Sequence, residues 1–254
     1  MKLKSLAYKF YEKVLWHQIK GEPKPHHIGV ILDGNRRFAR NKGYKAIEGH
    51  NFGARKVGEL LKWCWRLDIK IVTLYAFSTE NFNRSEEEVE TLMKLLKNKL
   101  QDFQKDPLVK KNRVKINVIG RLEYLPKEVN EEIEKVKEYT KDYDDFHLNI
   151  AVSYGGRAEI VDAVKKIVEK YDKKELRIED INEETIAQNL YTEGMPDPDL
   201  IIRTSGEERL SGFLLWQSAY SELYFTDINW PAFRLIDFWR TIRIYQQRER
   251  RFGK

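Results

Sequence analysis

The chain has a single cysteine, Cys64, and no apolar run long enough to cross a bilayer. The first absence excludes an internal disulfide framework. Cys64 sits inside the helical segment LLKWCWRL, where a packed core thiol is expected rather than a nucleophile. The second absence excludes a membrane-spanning protein. Met1 to Lys20 is amphipathic and charged throughout, so it does not read as a signal peptide. Internal repeats, low-complexity segments and Gly/Pro/Ser-rich linkers are also missing, which leaves a single domain over 1–254 as the expectation. A cytoplasmic globular protein follows from these absences, with room for peripheral membrane contact. What is present is 41% hydrophobic and 12% aromatic residues, enough to build a core, and a net charge of +6. That charge permits anionic partners such as diphosphates, nucleic acid or a membrane surface without choosing among them. Lys and Glu interleave along 86–99 and 127–141, the pattern of solvated helix faces.

The stretch from His27 to Arg40, HIGVILDGNRRFAR, organises the rest. Its short β-branched run suits a strand buried on both faces of a parallel sheet, and the carboxyl end of such a strand is where these folds place ligands. Gly34 allows close backbone approach, Asn35 suits a helix N-cap, and the following N–H groups with Arg36 and Arg37 would face an anion. One turn therefore offers a carboxylate for a metal and a cradle for phosphate. A plain turn with a solvated basic face accounts for the same residues, and from this stretch alone both readings stand.

In chain order, Leu3 to Ile19 reads as an amphipathic helix stopped by Gly21 to Pro25, with residues 1–24 forming helix and linker, and Glu48 to Leu67 as a second long helix. Ile69 to Phe77 is the next buried strand, ending at Ser78-Thr79-Glu80-Asn81. Ser85 and Glu88 read as a capping box for a helix to about Phe103. Val114 to Ile119 is strand three, Lys127 to Tyr143 a helix, and Phe146 to Ser153 strand four. Tyr154-Gly155-Gly156-Arg157 then opens a helix to about Tyr171. Leu176 to Leu190 reads as helical, Pro198 to Ile202 as strand five before Arg203, and Leu223 to Phe225 as a short sixth strand behind Glu222. A basic helix from Phe233 to Phe252 closes the chain. The alternation predicts an α/β single domain with a six-stranded, mostly parallel sheet flanked by helices. Asp33, the segments 78–84 and 154–157, and Arg203 all follow strand carboxyl ends, so they should converge on one rim as a site for a large anionic ligand.

Several separated motifs, DGNRRFA from Asp33, GHNFG from Gly49, LYAFSTENFNR from Leu74, NIAVSYGGRAEI from Asn149 and DLIIRTSGEERLSGFLLWQSAYSELYF from Asp199, together resemble the cis-prenyltransferases, the undecaprenyl diphosphate synthase family. The likeness extends from His27 to Gly253. It implies repeated condensation of isopentenyl diphosphate onto an allylic diphosphate, each cycle adding a five-carbon unit with a Z double bond, and an apolar product tunnel. By resemblance, Asp33 would hold Mg²⁺ against the allylic diphosphate, which Gly34, Asn35, Arg36, Arg37, His50 and Arg84 would surround. Phe38, Phe82, Ser78, Thr79 and Glu80 fall at family substrate-contact positions. Asn81 matches the residue that orients the condensing substrate, with the diphosphate or water expected to take the proton. Arg203, Arg209, Leu210 and Ser211 match the isopentenyl diphosphate site, and Glu222 a second carboxylate for the metal. The 89–103 helix and the 146–152 strand would wall the tunnel, with Phe146 toward its closed end as a limit on product length. Arg251-Phe252-Gly253 matches a signature that reaches a neighbouring subunit, implying a homodimer.

The chain also departs from bacterial members of that family. Phe38 and Phe82 replace tryptophans, Glu208 replaces a histidine, and Ala46 stands where an arginine contacts the allylic diphosphate. Arg36 or Lys45 would have to compensate. The N-terminal helix and the KPHHIGVILDGNRR segment resemble archaeal members, which make glycosyl carrier lipids and use primers such as geranylgeranyl diphosphate, farnesyl diphosphate being the shorter alternative. Rival readings fit less well. A haloacid-dehalogenase-type phosphatase needs a carboxylate where Asn35 stands, and the trans-prenyltransferases need DDxxD where Asp144-Asp145 is followed by Phe146-His147-Leu148. A non-catalytic accessory subunit would have lost Asp33, Asn81, Arg84, Arg203 and Glu222. Nucleic-acid binding would place its arginines along one stripe with exposed aromatics rather than in turns beside a carboxylate.

Overall fold

Each apolar run that ends in a polar turn becomes a strand of one sheet, and every pairing in that sheet is parallel. The structure is a computed structural model and describes residues 2–248, with side chains from residue 8. The strands are β1 (His27–Ile31), β2 (Ile71–Ser78), β3 (Val114–Ile119), β4 (Phe146–Tyr154), β5 (Leu200–Arg203) and β6 (Glu222–Phe225), in spatial order β3-β4-β2-β1-β5-β6. The helices among the described residues are α1 (Lys2–Ile19), α2 (Asn35–Asn41), α3 (Glu48–Leu67), α4 (Glu86–Lys105), α5 (Pro107–Lys111), α6 (Lys127–Thr140), α7 (Gly156–Asp172), α8 (Glu183–Ala187) and α9 (Leu235–Gln247). The chain leaves β1 toward β2 on one side and returns to β5 on the other, so the direction of winding reverses beside β1. A crevice at the carboxyl ends of β1, β2 and β5 is the geometric result.

Both sheet faces are covered, as expected of a parallel sheet. The larger core joins Ile28, Val30, Val72, Leu74, Leu148 and Ile150 to α3, α4 and α6 and reaches Leu15, Phe238 and Trp239 on α1 and α9. A smaller core on the opposite face joins Ile31, Tyr75, Ala151, Tyr154, Phe213 and Leu214. Helix α1 therefore covers the body: Trp16 packs on Trp239 with ring centroids 5.3 Å apart, and the Arg66 guanidinium lies 4.1 Å from the Trp16 ring. Cys64 is fully buried in the larger core, and burial raises its thiol pKa.

Three segments differ from the sequence expectation. The 176–190 stretch holds only a 3-10 turn, Ile178–Asp180, and the short α8, because Asn182 caps a new start by accepting the Thr185 backbone N–H at 3.0 Å. Helix α5 was not anticipated, although Asp106 caps it through the Leu108 N–H at 2.9 Å and Pro107 opens it. Helix α9 ends at Gln247, where Arg248 turns extended (φ −85°, ψ 130°), short of the end expected at Phe252, and the Arg251 to Gly253 signature lies outside the described residues.

A polar ladder crosses the otherwise apolar strands. Asn117 donates to Asn149 at 3.1 Å, Asn149 donates to Thr73 at 3.1 Å, and Thr73 Oγ1 lies 2.7 Å from His27 Nε2. His27 Nδ1 meets the Pro196 carbonyl at 2.7 Å, which can only accept, so the neutral ring donates there and accepts from Thr73. Burial pushes the His27 pKa down to about 4. The folded protein resists a proton that the unfolded chain accepts near 6.5, so this contribution to stability is complete above about pH 6.5 and is lost as pH falls toward 4. The shift corresponds to roughly 3 kcal/mol. Urea-unfolding midpoints should fall across this window, and His27→Gln should flatten the decline relative to its own value at pH 7.5. Equal slopes for the two proteins would refute the assignment.

Candidate active site

The loops that follow β1, β2 and β5 meet on the rim. Asp33 sits at the end of the β1 turn, and its Oδ2 accepts from Arg203 Nη2 at 2.8 Å, joining that turn to the end of β5. Asp33 Oδ1 accepts the Gly34 N–H at 2.7 Å. Thr204 Oγ1 donates to the Asp33 carbonyl at 2.7 Å and accepts its N–H at 3.1 Å, while Trp230 N–H donates to the same carbonyl at 2.9 Å. Gly34 has φ 94°, and a Cβ there would lie 2.4 Å from Asn229 Oδ1, so only glycine fits. The expected Asn35 N-cap is not formed. Gly34 is the cap residue and Asn35 begins α2, its Nδ2 turning back to the Leu32 carbonyl at 2.9 Å. Helix α2 is only seven residues long, so its dipole adds little and the anion-binding character of this turn rests on side-chain cations.

Those cations are held by a residue read from sequence only as part of a cap. Ser85 Oγ accepts the Glu88 N–H at 3.4 Å, as a capping box requires. The Glu88 carboxylate instead turns toward the site, where its Oε1 lies 2.8 Å from Arg84 Nη1, 3.3 Å from His50 Nε2 and 3.6 Å from Arg36 Nη1. Burial alone would raise the Glu88 pKa, but the charges of Arg84 and Arg36 and the hydrogen bonds from His50 and Arg84 outweigh it and lower it. Burial is also the main cause of the lowered His50 pKa, partly offset by Glu88. Arg36, Arg37, Arg40, His50 and Arg84 line a cavity of about 290 Å³ with Asp33, whereas Glu88 does not line it. The carboxylate therefore stands behind the cations rather than among them.

The segment after β2 folds into a 3-10 turn, Thr79–Asn83, in which Asn81 Oδ1 accepts the Ser78 N–H at 3.0 Å. That bond fixes the orientation of the Asn81 amide, whose NH₂ group remains to donate to a ligand. Phe82 packs edge-on against Phe77 at 4.8 Å, and Phe38 against Phe52 at 5.7 Å. Across the crevice, Arg203 Nη1 donates to Ser211 Oγ at 2.8 Å and also to the Arg209 carbonyl. Glu207 bridges the two halves of the rim, accepting from Arg37 at 3.3 Å and from Arg209 at 2.6 Å. Tyr154 to Arg157 supports this loop from beneath, with Gly156 N–H donating to the Gly212 carbonyl at 2.7 Å.

A second cavity of about 490 Å³ brings together Asp33, Asn35, His50, Ser78, Glu80, Asn81, Arg84, Arg203 and Ser211. A third, of about 370 Å³, shares Asn35, His50 and Leu92 with it and runs between α3 and α4 past Val57, Leu74, Met93, Leu96, Ile150 and Val152 to Phe103. The rim thus carries a basic chamber continuous with an apolar one. Phe38, Thr79, Phe82, Arg209 and Leu210 line none of these three cavities and stand around them.

Two expected residues lie elsewhere. Glu222 opens β6, in register with Leu200 and through it with Ile28, so it sits on the order of 15 Å from the rim along the strand direction. Its carboxylate accepts from Arg248 at 2.6 Å, and within one chain it does not join Asp33. Phe146 opens β4, lies 6.5 Å from the Trp65 ring, and lines a separate cleft with His26, Asp68, Lys70 and His147. It does not close the apolar cavity, to which β4 contributes Ile150 and Val152 instead. The two departures differ in kind: Glu222 lies at the edge opposite Asp33, whereas Phe146, expected toward the tunnel's closed end, is at that far edge but lines the neighbouring cleft. Residues that begin parallel strands face the rim opposite to those that end them.

No group of three or more His, Cys, Asp or Glu side chains that could hold a metal ion occurs among the described residues. A lone half-exposed carboxylate, Asp33, in a basic chamber suits Mg²⁺ that keeps waters and shares its remaining ligands with substrate phosphates.

Comparison with known proteins bears on this arrangement. A family model described as "Putative undecaprenyl diphosphate synthase" matches residues 31–253. A protein of Thermoplasma acidophilum described as tritrans,polycis-undecaprenyl-diphosphate synthase (geranylgeranyl-diphosphate specific) is 53% identical over 253 residues, covering 100% of this chain and 98% of its own length. An isoprenyl transferase of Thermus thermophilus is 51% identical over 251 residues, covering 97% of this chain and 95% of its own length. Among solved structures, lavandulyl diphosphate synthase from Lavandula x intermedia, in complex with dimethylallyl diphosphate, superposes with a TM-score of 0.87 at 36% identity, over 91% of this chain and 99% of that one.

Glu88→Gln removes the charge behind Arg36, Arg84 and the buried His50 while keeping the shape. Inorganic diphosphate, used as a probe, should bind about fivefold more weakly because the arginines lose their fixed positions, a loss of about 1 kcal/mol. The His50 pKa, followed by NMR, should fall further below its ordinary value. Unchanged affinity and an unchanged His50 titration would show that Glu88 is only a cap.

Proposed function

The chain belongs to the undecaprenyl diphosphate synthase family, and on that basis we propose that it condenses isopentenyl diphosphate repeatedly, with cis geometry, onto an allylic diphosphate to give a long-chain polyprenyl diphosphate, used as a glycosyl carrier lipid. The observation that carries this reading is the continuity of a basic chamber with an apolar cavity through Asn35 and His50. An amphipathic diphosphate needs both environments at once. Geranylgeranyl diphosphate is the proposed primer in preference to farnesyl diphosphate, supported by the naming of the Thermoplasma relative. A homodimer is proposed from family membership alone. Peripheral membrane contact is proposed from the apolar character of the product; no helix among the described residues is long and apolar enough to cross a membrane.

On this reading the allylic diphosphate occupies the chamber of Arg36, Arg37, His50 and Arg84. Departure of that diphosphate concentrates negative charge on its oxygens, and fixed cations that need no reorganisation stabilise it. Mg²⁺ bound with the substrate would be held by Asp33 and would neutralise part of the same charge. Isopentenyl diphosphate lies toward Ser211, Arg203 and Arg209, where guanidinium groups suit phosphate oxygens. Asn81 orients it by donating a hydrogen bond, and because a neutral amide is a poor base the proton leaves to diphosphate or water. Arg36 is the proposed replacement for the contact missing at Ala46, since Arg36 lines the chamber and Lys45 does not. The accessory-subunit reading is disfavoured by the intact Asp33 to Arg203 pairing beside Asn81 and Arg84.

Purified protein with labelled isopentenyl diphosphate, Mg²⁺ and either primer should yield polymer, more efficiently with geranylgeranyl than with farnesyl diphosphate. No polymer with any primer would refute the enzyme reading. Asp33→Ala should lower kcat by about 10²- to 10³-fold, and full activity would remove Asp33 from the mechanism. Arg36→Ala should raise the KM for the allylic substrate by about tenfold, whereas Lys45→Ala should leave it unchanged. The reverse pattern would assign the compensation to Lys45.

A further inference from the structure

Helix α3 carries three glycines, Gly49 in its first turn and Gly53 and Gly58 in its interior, where glycine disfavours a helix relative to alanine. Two have a steric reason. A Cβ on Gly49 would come 2.1 Å from the Asn35 carbonyl oxygen, and one on Gly53 would come 2.2 Å from Asn35 Oδ1, so both let α2 approach α3. Gly58 has no such reason, because nothing lies within 4 Å of the place its Cβ would take. It does line the apolar cavity.

Its position along that cavity is defined by the helix. Gly58 lies eight residues beyond His50, about 12 Å down the axis from the charged chamber. Ala54, one turn earlier, lines the same wall with a methyl group only. Helix α4 supplies the facing wall with Leu92, Leu96 and, farther out, Phe103. Arg55 and Val57 also line the cavity from α3, so the α3 wall is open at Gly58 itself, at the level where a hydrocarbon tail anchored at His50 and Arg84 would pass.

We propose that Gly58 is a specificity-determining residue: by leaving the α3 wall open, it provides the room that admits a long allylic primer and lets the chain grow beyond it. This rests on the prenyl-elongation reading above. A Cβ there meets no protein atom, so the consequence of adding a side chain should fall on the ligand rather than on the fold.

The test compares wild type, Gly58→Ala, Gly58→Leu and Gly58→Phe, using geranylgeranyl and farnesyl diphosphate as primers, sizing products, and recording thermal melting of each protein. Melting temperatures should not fall. Gly58→Phe should lower kcat/KM for geranylgeranyl diphosphate relative to farnesyl diphosphate by about tenfold and shift products to shorter lengths. Gly58→Leu should lie between, and Gly58→Ala close to wild type. A folded Gly58→Phe protein with the wild-type primer ratio and product lengths overturns the inference. So does one equally impaired with both primers, because lost chemistry is not lost room. Wild-type protein that makes no polymer at all brings down the elongation reading instead, a result distinct from either.

Discussion

The ion pair between Asp33 and Arg203 is the contact on which the rim depends. It connects the turn after β1 to the end of β5, the place where the chain reverses its direction of winding across the sheet. Arg203 is 5% exposed and Asp33 36%, so one partner is locked and the other faces the crevice. Breaking such a pair strands a buried guanidinium, which is costly because desolvation is no longer offset. The same guanidinium also holds Ser211 and the Arg209 carbonyl. A single side chain thus sets the spacing between the two proposed diphosphate positions, and Thr204 and Trp230 fix the backbone of the turn from two further segments.

Much of the fold could be read from sequence because a parallel sheet imposes a simple grammar. Short β-branched runs ending in polar turns and alternating with amphipathic helices have few other solutions, and the bounds expected for α3 and β3 coincide with those observed. Strand order was not readable, since the pairing of β1 with β5 depends on long-range packing that no local pattern encodes. The ladder from Asn117 to His27 was also invisible. Polar residues inside apolar strands gain meaning only once their neighbours on other strands are known.

The candidate site divides in the same way. Asp33, Ser78 to Arg84 and Arg203 were legible because the end of a parallel strand points to a common rim. Glu222 was expected beside Asp33 by family likeness, although the same rule, applied to the start of a strand, puts it at the opposite edge of its own chain. Glu88 was hidden for a different reason. Ser85 with Glu88 satisfies a local capping pattern, and that pattern accounts for the backbone N–H but not for the carboxylate. The side chain had a second set of partners, Arg36, His50 and Arg84, drawn from three parts of the chain.

The junction of charged and apolar chambers has a consequence for chain growth on the proposed reading. Bond formation occurs at the charged end, so each added unit must push the existing tail farther between α3 and α4. Every five-carbon unit that moves from water into that cavity contributes up to about 4 kcal/mol, at about 0.8 kcal/mol per buried carbon. Early intermediates are therefore held more tightly with each cycle, which favours continued elongation over release. The gain stops when the cavity is full, because further units meet solvent or lipid instead of Leu96 and Phe103. From that point each cycle adds length without added affinity, and escape competes with condensation. Product length then follows from the volume of the apolar chamber, while the Asp33 to Arg203 rim governs only the chemistry of each step.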